Sequence, residues 1–153
     1  MKKLLLLLFL SSGVLLACKK DKTGTKPEIS FLRYSLPDID SATERLDVVL
    51  RVKDGDGDIE NSINWQIIFL QPPPTGPVDK YTEFKMPEIG ANRGNSVNAE
   101  VTMRLISSDF KLWNEDKGAA PDSLWFKVFV LDNAGNSSDT ILTPKISIIK
   151  SRR

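Results

Sequence analysis

Histidine is absent from this 153-residue chain, and cysteine occurs once, as Cys18. Without imidazole there is no Ser-His-Asp or Cys-His nucleophile system and no zinc site of the His-bearing kinds. One thiol excludes an internal disulfide. A surplus of either charge is missing too: 21 Lys and Arg stand against 20 Asp and Glu, so nothing points to a nucleic-acid partner. The apolar run Leu4–Leu10 falls well short of the roughly 20 residues that a membrane-spanning helix needs. With 41% hydrophobic positions, the chain can bury one compact core and not two. Carboxylate chemistry, hard-cation binding and recognition without catalysis remain open. Catalysis is the poorest fit, because no candidate nucleophile stands beside a base and one small domain offers no cleft for a glycosidase-type carboxylate pair.

The front of the chain is an address. Lys2 and Lys3 precede Leu4–Leu10, Ser11-Ser12-Gly13 follows, and Leu15-Leu16-Ala17-Cys18 closes the segment. This is the layout of a secretory signal. Its ending resembles the bacterial lipobox, which implies cleavage after residue 17 and a diacylglyceryl group on Cys18. Sulfur suits that role because the thiolate is the side chain nucleophilic enough to take the lipid. The other reading makes Cys18 an ordinary residue of an uncleaved apolar segment, but the sole cysteine lies where the apolar run ends and a polar stretch begins. Two or more acyl chains hold a protein stably to a membrane, where one does not. Residues 18–27, with Lys19-Lys20-Asp21-Lys22-Thr23-Gly24-Thr25-Lys26-Pro27 after the cysteine, form a flexible linker. Losing Lys2 and Lys3 with the signal leaves the remainder close to neutral.

From Glu28 onward the hydrophobic period is two, not 3.6. Leu46, Val48, Leu50 and Val52 share one face of a strand whose other face carries Asp47, Arg51 and Lys53. Val97 to Leu105 alternates throughout; Ile63, Trp65, Ile67 and Phe69 make a third inward row, and Leu124, Phe126, Val128 and Val130 a fourth. One wet and one dry face per strand is the signature of antiparallel sheets packed together. Glu28–Leu36, Tyr81–Met86 and Asp139–Ile149 are weaker strands, with Pro144 placing the last at an edge or bulge. About seven strands between turn-forming clusters predict an all-β domain over residues 28–150. It resembles a disulfide-free immunoglobulin-like sandwich of the cadherin or fibronectin kind, with Trp65 on the third strand. Ser107–Trp113 reads as a helical turn capped by Ser107 or Ser108.

The sharpest local signal is Asp54-Gly55-Asp56-Gly57-Asp58, between the second and third strands. Three carboxylates so close repel unless a cation or solvent screens them, and calcium, which takes six to eight oxygens in loose geometry, is the natural partner. The run is not an EF-hand, because Ile59 stands at the turn glycine and Trp65 at the bidentate glutamate. A second loop, Asp132-Asn133-Ala134-Gly135-Asn136, resembles the closing turn of bacterial Ig-like modules. In that fold both loops lie at one end, which makes Asp54, Asp56, Asp58, Asp132, Asn133 and Asn136 a candidate calcium set. The alternative for each loop is a turn whose Asp and Asn side chains bond their own backbone.

Trp125 and Phe129 fall opposite the Leu124 row, on an outer sheet face; with Trp113 they are candidate sugar-stacking aromatics. The alternative is that they are roofed by the segment from Phe110 to Trp113. Pro72–Pro74 and Pro77 form a stiff loop that blunts an edge, the alternative being a docking ligand for a proline-reading domain. The lipobox, the Asp-Gly-Asp-Gly-Asp run and the alternating body together resemble bacterial lipoproteins that carry an Ig-like domain. The resemblance implies a lipid-anchored, non-catalytic module of a Gram-negative outer membrane, facing the periplasm or the cell surface. Its implied work is recognition or envelope assembly with an envelope protein as partner, with calcium as a structural ion. The alternative is a carbohydrate-binding lipoprotein that helps capture polysaccharide.

Overall fold

A computed structural model of the protein describes residues 24–70, 80–86, 94–112 and 121–150. In chain order its strands are β1 (Glu28–Tyr34), β2 (Asp38–Ile39), β3 (Arg45–Asp54), β4 (Ser62–Phe69), β5 (Thr82–Lys85), β6 (Val97–Ile106), β7 (Ser123–Leu131), β8 (Ile141–Leu142) and β9 (Ile146–Ile148). One short helix, α1 (Ser107–Phe110), follows β6. The strands form two sheets, β1-β3-β6 and β2-β9-β7-β4-β5, with β8 also pairing with β7. The protein is an all-β sandwich.

Period two explains the packing. Leu46, Val48, Leu50 and Val52 of β3 meet Ile63, Trp65, Ile67 and Phe69 of β4 and Leu124, Phe126, Val128 and Val130 of β7 in one buried core. A buried aliphatic or Phe side chain contributes about 1.5–3 kcal/mol relative to exposure, so these rows supply most of the driving force. Trp65 lies inside, its ring edge-on to Phe126 at 5.9 Å and tilted against Phe84 at 5.6 Å. Its Nε1–H is buried without an acceptor.

The weaker strands are broken ones. The pairing of β1 with β3 slips between Phe31 and Arg33, which makes Leu32 the extra residue of a β-bulge. Ile29 and Phe31 precede the slip and Tyr34 follows it, and all three pack on the core. Without the bulge Tyr34 would face outward. Its hydroxyl, 2.7 Å from Thr143 Oγ1, donates to the Pro144 carbonyl at 2.6 Å and ties the first sheet to the second. Burial pushes that phenol up to about 12, with the Thr143 hydroxyl partly offsetting it.

The last strand divides around Pro144 into β8 and β9, both antiparallel to β7, and β2 adds to β9 in parallel. Hydroxyls bridge the gaps in this ladder: Phe126 N–H donates to Thr143 Oγ1 at 2.8 Å and Val130 N–H to Ser138 Oγ at 3.0 Å. The helical turn starts without a serine cap. Ile106 holds the cap position, and its N–H donates to the Asp109 carboxylate at 2.9 Å. Phe110 at its end is fully buried. Among the described residues no helix is long and apolar enough to cross a membrane.

Candidate metal centre

β3 ends at Asp54, which is fully buried. Its Oδ2 accepts the N–H groups of Gly57 at 2.7 Å and Asp58 at 3.1 Å, folding the run back on itself. Gly57 has a φ of +71°, a backbone state that L side chains enter at a penalty; Gly55 is not in that region. One glycine of the pair is therefore a conformational requirement. One carboxylate oxygen from each of Asp54, Asp56 and Asp58 lies within 4.8 Å of the other two. The Oδ1 atom of each is buried and accepts no hydrogen bond.

The second loop closes against the first. Asn133 N–H donates to the Asp58 carbonyl at 2.8 Å and Ala134 N–H to Asp58 Oδ2 at 3.1 Å. Asn61, at the far end of the run, donates through Nδ2 to the Asp132 carbonyl at 3.0 Å. Asp132 is buried, and Asn136 engages both of its carboxylate oxygens: the backbone N–H reaches Oδ1 at 2.7 Å and Nδ2 reaches Oδ2 at 2.8 Å. Gly135 turns the loop at φ +86°.

The geometry sorts the six candidate ligands into two groups. Asp54, Asp56 and Asp58 converge and keep an unused oxygen each. Asp132 and Asn136 satisfy one another, and Asn133 meets the first loop through its backbone N–H. They lie beside the carboxylate group as a brace. Burial, then the neighbouring Asp56 carboxylate, raises Asp54 above the usual carboxylate range. Burial also raises Asp58, followed by repulsion from Asp132, Asp56 and Asp54 in that order. Among the described residues no Lys or Arg bonds to the three carboxylates.

Three contacts at this end have no signal in the sequence. Gly94 N–H donates to the Asp56 carbonyl at 2.7 Å, joining the approach to β6 to the acidic run. The linker is held here as well: Asn136 Nδ2 reaches the Thr25 carbonyl at 3.2 Å, and Lys26 pairs with Asp139 at 2.6 Å. Such contacts join positions more than 35 residues apart, with nothing in the local pattern to announce them.

The outer aromatics are already engaged. Lys145 Nζ sits 4.9 Å from the centre of the half-buried Trp125 ring, and Tyr81 meets Phe129 edge-on at 5.1 Å. Phe110 turns into the core and does not roof them. Cys18, Trp113, Pro72–Pro74 and Pro77 lie outside the described residues.

No protein-family model and no curated protein matches the chain. Among solved structures, the fold is similar to part of a beta-glucosidase from Listeria innocua in complex with isofagomine. The identity is 17% and the TM-score 0.46, over 80% of this chain and 16% of that one. The chain thus spans well under a fifth of that enzyme's length.

Proposed function

We propose that this protein is a lipid-anchored Ig-like module of a bacterial outer membrane that makes non-catalytic recognition or assembly contacts in the envelope. The anchor is the lipid on Cys18. The strand order supports the Ig-like assignment: β1-β3-β6 and β9-β7-β4-β5 have the neighbour relations of strands A-B-E and G-F-C-C′.

One observation carries the reading. The linker enters the sandwich at the acidic-loop end, where Thr25 and Lys26 are held and Glu28 pairs with Lys53. Among the described residues, four of the six exposed large apolar side chains, Leu36, Leu70, Ile106 and Ile149, lie at the opposite end, while Leu142 and Tyr81 lie along the second sheet. Cys18 lies six positions before Gly24, a reach of at most about 21 Å. An anchor at Cys18 therefore turns the acidic end to the membrane and the apolar end outward, where a protein partner meets it. Trp65 is buried and Trp125 is half-buried under the Lys145 ammonium, so neither ring stands fully open for a sugar to stack on.

Labelling growing cells with palmitate tests the anchor. The wild-type chain takes up label and fractionates with membranes, whereas Cys18→Ser does neither; membrane retention of the serine variant contradicts the reading. A photo-crosslinker at Ile106 should give envelope-protein adducts that one at Asn133 does not. Tryptophan fluorescence that moves with added polysaccharide would favour the sugar-binding alternative.

A further inference from the structure

We infer that the cup formed by Asp54, Asp56 and Asp58 binds one divalent cation of the calcium class, with one carboxylate oxygen from each residue as ligand. The inference stands independently of the lipid anchor. It rests first on convergence: one oxygen from each residue lies within 4.8 Å of the other two. Two oxygens on one calcium ion at its usual bond lengths stand up to about 5 Å apart, against about 4.2 Å for magnesium. Three oxygens that close together have about the spread of ligands around one calcium ion.

The second observation is the state of the oxygens. Asp54 is fully buried, its Oδ2 holds the turn, and its Oδ1 has no partner; the Oδ1 atoms of Asp56 and Asp58 are likewise buried and unpaired. Proteins satisfy nearly all of their buried polar atoms, and a lone anionic oxygen away from water is the most expensive exception. Three buried, unpaired oxygens within one five-residue run ask for a single shared partner. One proton between Asp54 and Asp56 would quiet that pair and leave Asp58 facing the charge of Asp132. A divalent ion answers all three.

The surroundings define what the ion would do. Asp132 is bonded on both oxygens to Asn136, so it adds negative potential without offering a free ligand atom. Asp58 connects the loops, taking Asn133 N–H on its carbonyl and Ala134 N–H on Oδ2. Neutralising Asp58 relieves its repulsion with Asp132 and tightens the join between the loops. Water fills the remaining coordination positions, which places the affinity among extracellular calcium modules, with Kd on the order of 0.1–1 mM.

Calorimetric titration of the full chain, stripped with a chelator, tests this. Calcium should give saturable one-to-one heat and raise the melting temperature by several degrees, while equal magnesium gives a much smaller rise. Asp56→Asn is the decisive variant, because its side chain holds none of the loop hydrogen bonds described above. It should fold and melt at or above the metal-free wild-type temperature, yet bind calcium at least ~10-fold more weakly. Two results overturn the inference: no heat or melting shift with millimolar calcium, or unchanged affinity in Asp56→Asn. An equal response to magnesium overturns the assignment to calcium.

Discussion

The interior of the sandwich and its acidic end are built on opposite terms. Between the sheets, Leu50, Val52, Phe126 and Val128 gain by leaving water, and each neighbour helps the next. At the acidic end Asp54 and Asp132 are just as buried, and for Asp54 both burial and the neighbouring Asp56 carboxylate work against the charge. Backbone N–H groups and Asn136 repay part of that loss, and three oxygens stay unpaid. Stability explains the first region. The second makes physical sense as a place prepared for something else.

The largest effect expected from a substitution lies in the core. Phe126→Ala should lower unfolding stability by about 3–5 kcal/mol in urea titrations, because it removes a ring that touches both Tyr34 and Trp65. A loss below ~1 kcal/mol would mean that the core is not held as described.

Next come two metal-free variants that divide the acidic run. Asp54→Ala removes the acceptor for Gly57 and Asp58 and should cost about 1–3 kcal/mol, whereas Asp56→Asn should be neutral or stabilising. Equal losses would make Asp56 a structural residue and erase the distinction between turn and cup.

Tyr34→Phe should cost about 1 kcal/mol at neutral pH through the lost Pro144 contact. The pH dependence has a fixed sign. The folded phenol is raised to about 12 against 10 unfolded. Above pH 10 the unfolded chain ionises first, so wild type loses stability as pH climbs toward 12. The advantage of wild type over Tyr34→Phe should therefore shrink over that window in parallel denaturant titrations. A constant difference would place the hydroxyl in water. The smallest effect belongs to Lys26→Ala. With Lys26 and Asp139 both exposed, the loss should stay below about 0.5 kcal/mol, and a larger one would mean that the linker is part of the folded core.

Legibility in the sequence followed the same division. The inward rows of β3, β4, β6 and β7 were readable because strict alternation is what a half-buried strand requires. The first strand read weakly because the bulge at Leu32 turns the inward spacing from two to three between Phe31 and Tyr34. The last read weakly because Pro144 divides it and the hydroxyls of Thr143 and Ser138 stand in for ladder carbonyls. The Ser107 or Ser108 cap was misplaced by one or two residues, since the Asp109 carboxylate takes up the Ile106 N–H instead. At the acidic end, Asp-Gly alternation identified the group but not its division of labour. Whether an aspartate keeps a free oxygen depends on where Asn136, Gly57 and Ala134 point their N–H groups, and only the three-dimensional arrangement fixes that.

Amide hydrogen exchange on the full chain, with and without calcium, tests the contrast most directly. If the cup binds the ion, protection should rise at Gly57, Asp58, Asn133 and Ala134, whose N–H groups form or join the two loops, and stay unchanged at Leu50 and Val128. Exchange that calcium leaves unaltered at all six positions, or slows equally in loops and core, would contradict a cation site at this end.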